Sequence, residues 1–586
     1  MSNGLFVHLR SSFSLLNRQQ KKEGGRLCIA TILNVIFDLF SLVSILPALY
    51  IVAGKDKEEQ PEIINQLYTL SGVTDIEKLT YLIILAVLLF FIFKTFFSYG
   101  VIRWRALFAS GIAIGLSNKI YNANLGKAHQ KNAGEDIVNI VNIPYTFISK
   151  TVNAAFDLIS KSVLVVVVFG SLAIYNAEAL LYLTLILIPV ALLYVRLSSK
   201  HLDSIRKSLE KYQPSLTQSA LESLNGKIEI IISGNKEYFF RDFLKVNTRY
   251  GKTLAQLNIS VNSSAKFIEL IALTGILILF AYATAADFSK DNTFFILTIY
   301  SISAYKLIPS LNGINVAYTN LKTHQYATEI INQYLQNTED SSGETIQSDH
   351  LLSFSETVAF QNVTFKYPNS SFAISQVNFA IRPFDKVAII GESGSGKSTL
   401  LQLLLRTIQE TDGGLYVDDQ KISSQLTPAY RNLISYVPQS VFLFEGSLLE
   451  NVCMKDPVLM KNREKAQSVL KDLGLSALIS PQNDGLDYFV ADKGLNLSAG
   501  QRQRVGIARA ILQEREIMIF DEVTSNLDEQ NQVAVIDLLK KTYAKKTMIF
   551  ATHRPEITTM CNVVLEVTDG QVQVVQQSPA VEIDNH

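Results

Sequence analysis

The chain has 586 residues, a length that suggests three to five units at roughly 100–200 residues per domain. Apolar residues make up 48% and charged residues 18%, against a usual charged share of about 25%, which excludes a disordered or collagen-like chain. Lys+Arg and Asp+Glu balance at 53 each, so no global basic surface argues for nucleic acid as a partner. Cys28, Cys453 and Cys561 lie far apart and fit neither a metal-ligand spacing nor a disulfide framework.

Residues 1–27 are polar and basic, and six apolar stretches follow: Cys28–Ala53, Leu79–Tyr99, Phe156–Tyr175, Leu180–Leu197, Phe267–Ala286 and Thr293–Ile314. Each runs about 18–26 residues, enough to cross a hydrocarbon core of ~30 Å as a helix. The first is too long for the apolar core of a signal peptide and reads as a mature transmembrane helix. The connections alternate in length. Asn176–Ala179 and Asp287–Asn292 allow only tight turns, whereas residues 100–155 and 198–266 are long enough to carry the helices well beyond the bilayer.

Charge sets the sides of the membrane. Residues 100–155 carry Arg103, Arg105, Lys119, Lys127, Lys131 and Lys150 against Glu135 and Asp136, and 198–266 is also basic. Residues 54–78 hold Asp56, Glu58, Glu59, Glu62, Asp75 and Glu77. The positive-inside bias predicts that both termini and both long connections are cytoplasmic. Pro61–Leu70, with Ile63, Ile64, Leu67 and Leu70 at helical spacing, is either a short external amphipathic helix or a loop.

Asp38, Arg103, Arg105, Asp157, Glu269 and Lys306 lie within or beside the spans. Arg103, Arg105, Glu269 and Lys306 are the candidates for a substrate path, since intramembrane ionisable groups usually face a bundle interior or a watery cavity. The other reading has the two arginines snorkelling at the interface and Glu269 pairing with Lys306.

Thr338–His350 is polar and aperiodic and reads as a linker to an α/β region. There Val387–Ile390 has a buried-strand pattern, Gly391–Ser398 (GESGSGKS) fits G-x-x-x-x-G-K-[ST], and Thr399–Arg406 begins a helix. That is the strand–loop–helix context of a P-loop. Backbone N–H groups of such a loop curl around phosphate, Lys397 reaches the β/γ-phosphates and Ser398 ligates Mg²⁺. Ile517–Phe520 ends in Asp521, a candidate metal carboxylate, and Glu522, a candidate base for the attacking water. Thr547–Ala551 is expected to deliver Thr552 and His553 to the same end of a parallel sheet, where ligands bind.

Asn496–Leu512 reads NLSAGQRQRVGIARAIL, and on this run the chain resembles the ATP-binding cassette (ABC) transporters. Leu497-Ser498-Ala499-Gly500-Gln501 is similar to the family's LSGGQ signature. Tyr367 in FKYP resembles the aromatic residue that stacks on adenine, and Gln439 in YVPQ the Q-loop residue that senses Mg²⁺ and the membrane domain. Ser525-Asn526-Leu527-Asp528 resembles the D-loop, and His553 the switch histidine. The resemblance implies ATP and Mg²⁺ as cofactors. It makes Glu522, His553 and Gln439 the catalytic group and Ser398, Gln439 and Asp521 the metal group. Tyr367, Gly391, Glu392, Ser393, Gly394, Ser395, Gly396, Lys397, Ser398, Thr399, Ser498, Gly500, Gln501 and Asp528 would contact nucleotide. Ala499, Asn526 and the run Ala491-Asp492-Lys493 depart from the usual residues, and only the last bears on coupling to the membrane.

The implied fold class is an α-helical six-span transmembrane domain followed by an α/β P-loop ATPase domain with a helical signature subdomain. The expected boundaries are an N-terminal segment 1–27, a transmembrane domain 28–334, a linker 335–353, a cassette 354–580 and a tail 581–586. Six spans ahead of one cassette is the half-transporter layout of ABC exporters, in which the signature of one cassette completes the ATP site of another. That implies a second half-transporter, most simply in a homodimer, with a heterodimer left open. Coupling helices would lie near Asn124–Lys131 and Ser215–Asn225. Ala304–Leu335 is similar to the corresponding region of bacterial lipid-linked oligosaccharide flippases, which implies a bacterial inner membrane and an amphipathic or lipid-linked substrate. Export of peptides or hydrophobic drugs stays open, as does an ATP-gated channel or regulatory subunit.

Overall fold

The computed structural model describes residues 10–43, 76–125, 133–175, 177–285, 290–339, 352–367, 373–523 and 528–578. The chain divides into two compact units, Met1–Thr338 and Glu339–His586.

The first unit is helical. Its main helices are α1 (Arg18–Val43), α2 (Ile76–Leu125), α3 (Asn153–Tyr175), α4 (Ala177–Asn225), α5 (Lys236–Ala285), α6 (Lys290–Thr323) and α7 (Gln325–Glu339). At 1.5 Å per residue, the 50 residues of α2 and of α5 reach about 75 Å, more than twice the hydrocarbon thickness. The long polar connections do continue the helices. Between α2 and α3 the chain stays helical from Ala133, but Val138–Asn142 and Phe147–Val152 are wound as π-helix around a short turn holding Pro144.

By length and composition, four stretches among the described residues suffice to cross a membrane: Arg18–Ser41, Thr80–Leu125, Gly134–Ile174 and Lys236–Ile278. The expected spans Leu180–Leu197 and Thr293–Ile314 fall inside α4 and α6. Residues 44–75, which include the end of the first expected span and Pro61–Leu70, lie outside the described residues.

Helix α1 packs on α2 and α3, α3 on α6, and α4 on α5. Leu27, Ile120, Ile143, Phe147, Leu202 and Ile205 form the fully buried centre. Leu85, Leu88, Leu89, Phe93 and Phe96 of α2 are all more than half exposed. In water such a stripe would be a liability, whereas facing lipid it costs nothing.

Some charges inside the apolar helices are matched in pairs, since an unpaired ion there is expensive. Lys94 Nζ lies 2.5 Å from Asp38 Oδ1 and donates to Ser41 Oγ at 3.3 Å. One turn away, Ser98 Oγ donates to Asn34 Oδ1 at 2.5 Å, so a polar seam runs between α1 and α2.

The second unit is α/β. In chain order it contains β1 (Val358–Lys366), β2 (Ala373–Ile381), β3 (Lys386–Ile390), α8 (Lys397–Leu404), β4 (Asp412–Val417), β5 (Gln420–Lys421), β6 (Ile434–Val437), β7 (Gly446–Ser447), α9 (Leu448–Cys453), α10 (Arg463–Asp472), β8 (Phe489–Val490), α11 (Ala499–Leu512), β9 (Ile517–Asp521), α12 (Glu529–Thr542), β10 (Thr547–Ala551), β11 (Val563–Thr568) and β12 (Gln571–Gln577). An antiparallel sheet has the order β2-β1-β4-β5, and a six-stranded sheet the order β12-β11-β3-β10-β9-β6.

In the larger sheet β11, β3, β10, β9 and β6 are parallel, and only the edge strand β12 is antiparallel. Parallel strands are covered on both faces, which is why they read as unbroken apolar runs. Alternate residues separate cleanly. Val387 and Ile389 join Leu400, Leu401 and Leu404 of α8 on one face, while Ala388, Phe520 and Phe550 meet Val505 and Ala508 of α11 on the other. The register pairs Ala551 with both Ile389 and Asp521, so the chain leaves β3, β9 and β10 at one level.

Candidate functional site

The loop after β3 is shaped by its glycines. Gly391 has φ +147°, and a Cβ there would fall against the Val567 carbonyl and the Ser395 hydroxyl. Gly396, at φ +117°, turns the chain directly into α8. The helix N-terminus thus follows the loop at once, with its free N–H groups and partial positive charge. Lys397 Nζ donates to the carbonyls of Gly391 (2.6 Å) and Glu392 (2.8 Å), so the ammonium lies over the loop it belongs to. Ser395 Oγ is buried without a hydrogen-bond partner among the described residues, and Glu392, Ser393, Gly394 and Ser398 are exposed.

Tyr367 stands beside the start of α8. Its hydroxyl donates to Gln402 Oε1 at 3.0 Å and lies 3.4 Å from Thr399 Oγ1, while its ring meets Phe365 edge-on at 4.8 Å.

At the end of β9 the chain turns sharply. Glu522 has φ +47°, a left-handed conformation that a non-glycine residue holds only when its surroundings impose it. Its N–H donates to the Ala551 carbonyl (3.0 Å), and its own carbonyl accepts from Gln503 Nε2 of α11 (3.3 Å). The side chain then meets two of its expected partners. Gln439 Nε2 donates to Glu522 Oε2 at 2.6 Å, and His553 Nδ1 lies 3.9 Å from Oε1. The three residues expected to be catalytic are therefore brought together at the strand tips beside the P-loop.

Asp521 accepts a hydrogen bond from the Tyr436 hydroxyl at 3.3 Å. Burial, helped by the Glu522 charge, holds its carboxyl above the ordinary range, against the Tyr436 hydrogen bond and Lys397. Desolvation first, although the residue as a whole is 39% exposed, and then the Asp521 charge and hydrogen bond push the Tyr436 phenol up in turn. Serine hydroxyl, amide oxygen and carboxylate at Ser398, Gln439 and Asp521 are the hard oxygen donors that suit Mg²⁺.

A second group forms at the N-termini of α11 and α12. Ser498 caps α11 through a reciprocal pair, Gln501 N to Ser498 Oγ (3.1 Å) and Ser498 N to Gln501 Oε1 (2.8 Å). Gly500 sits in the first turn and accepts from Arg504 Nε at 3.3 Å. Asp528 caps α12, and its hydrogen bonds from the Asn531 backbone and side chain keep its carboxyl below the usual range. Arg504 Nη1 donates to Asn531 Oδ1 at 3.1 Å, which links the two caps. Ser525, Asn526 and Leu527 of the expected D-loop lie outside the described residues.

The substrate-path candidates are not brought together. Arg105 is bound three times over, to Asp157 Oδ1 (2.7 Å), Asn153 Oδ1 (3.0 Å) and the Asn153 carbonyl (2.6 Å). Glu269 pairs with Lys266 (3.0 Å), three residues back on α5, and not with Lys306. Arg103 is exposed, and Lys306 has no ion-pair partner among the described residues. The sequence reading missed Lys94, Tyr436 and Gln503. Tyr436 carried a signal, three residues ahead of Gln439 in YVPQ.

A sequence model described as ABC transporter matches residues 374–525. The ATP-dependent lipid A-core flippase 1 of Colwellia psychrerythraea is 27% identical over 455 residues, covering 73% of this chain and 72% of its own length. The ATP-dependent lipid A-core flippase of Escherichia coli K12 is 27% identical over 403 residues, 68% of each. A solved bacterial Atm1-family ABC exporter with ATP bound superposes with a TM-score of 0.72 at 18% identity, covering 93% of this chain and 94% of that one. By these likenesses the chain resembles the exporter-type ABC half-transporters. It has a transmembrane domain and an ATPase domain, binds ATP, and couples its hydrolysis to export or flipping across a membrane.

Proposed function

We propose that the exporter works as a homodimer of six-span subunits that moves an amphipathic or lipid-linked substrate out of the cytoplasmic leaflet of a bacterial inner membrane. Both termini and the ATPase domain lie in the cytoplasm. The transmembrane domain spans 28–334, the linker 335–353 and the cassette 354–580, with α9 to α11 forming a helical signature subdomain. The observation that carries the reading is the convergence of Gln439, Glu522 and His553 at the strand tips beside the P-loop.

In this reading Gly391 to Thr399 hold the phosphates and Tyr367 faces adenine. Ser398, Gln439 and Asp521 hold Mg²⁺, which neutralises charge on the phosphates. Gln439 holds Glu522 Oε2, which leaves Oε1, on the side of His553, to take the proton from the attacking water. Ser498, Gly500, Gln501 and Asp528 form a group of their own, as expected if they complete the ATP site of a second copy. ATP between two cassettes then favours their closed pair, and hydrolysis removes the contacts that favoured it. Nucleotide shifts the equilibrium only through that difference in affinity.

The expected coupling segment Ser215–Asn225 forms the last turns of α4. The reversal follows immediately, in the short helix Lys227–Ile232, where Ile228, Ile231 and Ile232 are exposed. We assign this apolar turn to the coupling contact.

The lipid A-core named for the flippase relatives supports a lipid-linked substrate. One observation favours the second reading, an exporter of peptides or hydrophobic drugs: Arg105 is already neutralised by Asp157, which leaves fewer cations for a phosphorylated headgroup. ATP-dependent translocation of a polyprenyl-pyrophosphate-linked oligosaccharide in liposomes, with Glu522→Gln as control, tests the choice. Movement by the wild type alone supports a lipid-linked substrate. Steady hydrolysis without movement supports peptide or drug export, and no hydrolysis points to a missing partner chain.

A further inference from the structure

The four residues Tyr436-Val437-Pro438-Gln439 hold both acidic side chains at the end of the neighbouring strand. Tyr436 binds Asp521, and Gln439, three residues on, binds Glu522. Strand β6 is the edge of the six-stranded sheet, and its register pairs Tyr436 with Ile519 and Val437 with Phe520 of β9. Its other three residues, Ile434, Ser435 and Val437, are buried, and Tyr436 alone is exposed. The ring is thus not needed to fill the core. The backbone ladder already joins β6 to β9, so the hydroxyl adds little as a structural tie.

What the hydroxyl does supply is orientation. A carboxylate turns freely about its last bond, where the torsional wells are broad, and a donor on one oxygen removes that freedom. A phenol donates without bringing charge. A lysine or arginine in its place would fix Asp521 equally well but cancel the negative charge a divalent cation requires.

We infer that Tyr436 is a positioning residue that fixes the Asp521 carboxylate for the metal ion. With Gln439, it makes the segment Tyr436–Gln439 a two-point clamp on the acidic pair. The inference rests on the assignment of Asp521 to Mg²⁺, and the test separates the two.

The full-length protein in nanodiscs, with an ATP analogue bridged by nitrogen between its β- and γ-phosphates, is titrated with Mn²⁺ and bound metal is read by electron paramagnetic resonance. Tyr436→Phe is expected to weaken Mn²⁺ binding roughly tenfold, the effect of one hydrogen bond to a charged group. Affinity for the analogue in EDTA and the melting temperature stay unchanged. Asp521→Asn is expected to weaken Mn²⁺ further, and adding Tyr436→Phe to it to change nothing more. Wild-type Mn²⁺ affinity in Tyr436→Phe overturns the role of Tyr436 while leaving that of Asp521 intact. So does a fully additive loss in the double variant, or a lowered melting temperature without a metal defect. Wild-type affinity in Asp521→Asn overturns both.

Discussion

The candidate site of the ATPase unit and the apolar helices of the membrane unit arrange their charged residues differently. In the ATPase unit, polar side chains from separate strands and loops converge: Gln439, Glu522 and His553 meet within 3.9 Å, and Tyr436 reaches Asp521 beside them. In the membrane unit the paired ones are scattered, Lys94 with Asp38, Arg105 with Asp157, and Lys266 with Glu269. The difference follows from what each unit handles. A triphosphate has fixed atoms and a fixed charge, so its site needs particular groups at particular distances. A bilayer sets a penalty on any unpaired charge, and pairing satisfies it wherever the pair occurs.

The sharpest way to break this contrast is at Glu522. Replacement by Gln is expected to lower ATP hydrolysis by about 10²–10⁴-fold, the range for loss of a general base, while ATP binding is retained. Phosphate release and equilibrium nucleotide binding on the same preparation measure both. Turnover near that of the wild type would remove Glu522 from the chemistry and leave the convergence without a catalytic meaning.

The membrane unit should respond through stability instead. Lys94→Ala removes the ion-pair partner of Asp38, whose side chain is 31% exposed, and is expected to cost about 1–2 kcal/mol, below the range for a fully buried pair. The double replacement Lys94→Met with Asp38→Leu should recover most of that loss. Thermal unfolding followed by tryptophan-independent fluorescence or by size-exclusion recovery reads both. A double variant no better than the single one would show that the pair has a role beyond mutual neutralisation.

The same contrast explains what could be read from sequence. The P-loop, Asp521-Glu522 and His553 were legible because phosphate chemistry forces residue types into fixed spacing along strands and turns. Tyr436 was only half visible: its position before Gln439 is in the sequence, but its bond to Asp521 crosses 85 residues of chain. Lys94 left no signal, since nothing in a span marks which helix will supply the opposite charge. Helix lengths were legible for a simpler reason. The polar connections have enough residues to continue the helices, and α2 and α5, of 50 residues each, extend into them. The π-helical turns at Val138–Asn142 and Phe147–Val152 were not, because they change the hydrogen-bond pattern without changing composition.

Arg105 tests the middle ground. Its guanidinium holds Asp157 and two atoms of Asn153, all partly buried, so Arg105→Leu is expected to destabilise by about 2 kcal/mol. Arg105→Lys should fare little better, because a point charge cannot span the three acceptors. A melting temperature unchanged by Arg105→Leu would show that the network contributes little to folding.

Glu269 should show the smallest structural effect and for that reason the clearest functional one. Its only ion pair among the described residues is with Lys266, one turn away on the same helix, and both side chains are at least half exposed. Such a pair is worth about 0.3–0.5 kcal/mol, so Glu269→Gln should leave melting and expression unchanged. Any loss of transport in that variant, with basal ATP hydrolysis intact, then comes from contact with substrate and not from a weakened fold. Unchanged transport would assign Glu269 to the solvated or interfacial face of α5 and remove it from the path. Arg105 cannot give so clean an answer, because its removal disturbs the helix pair that holds it.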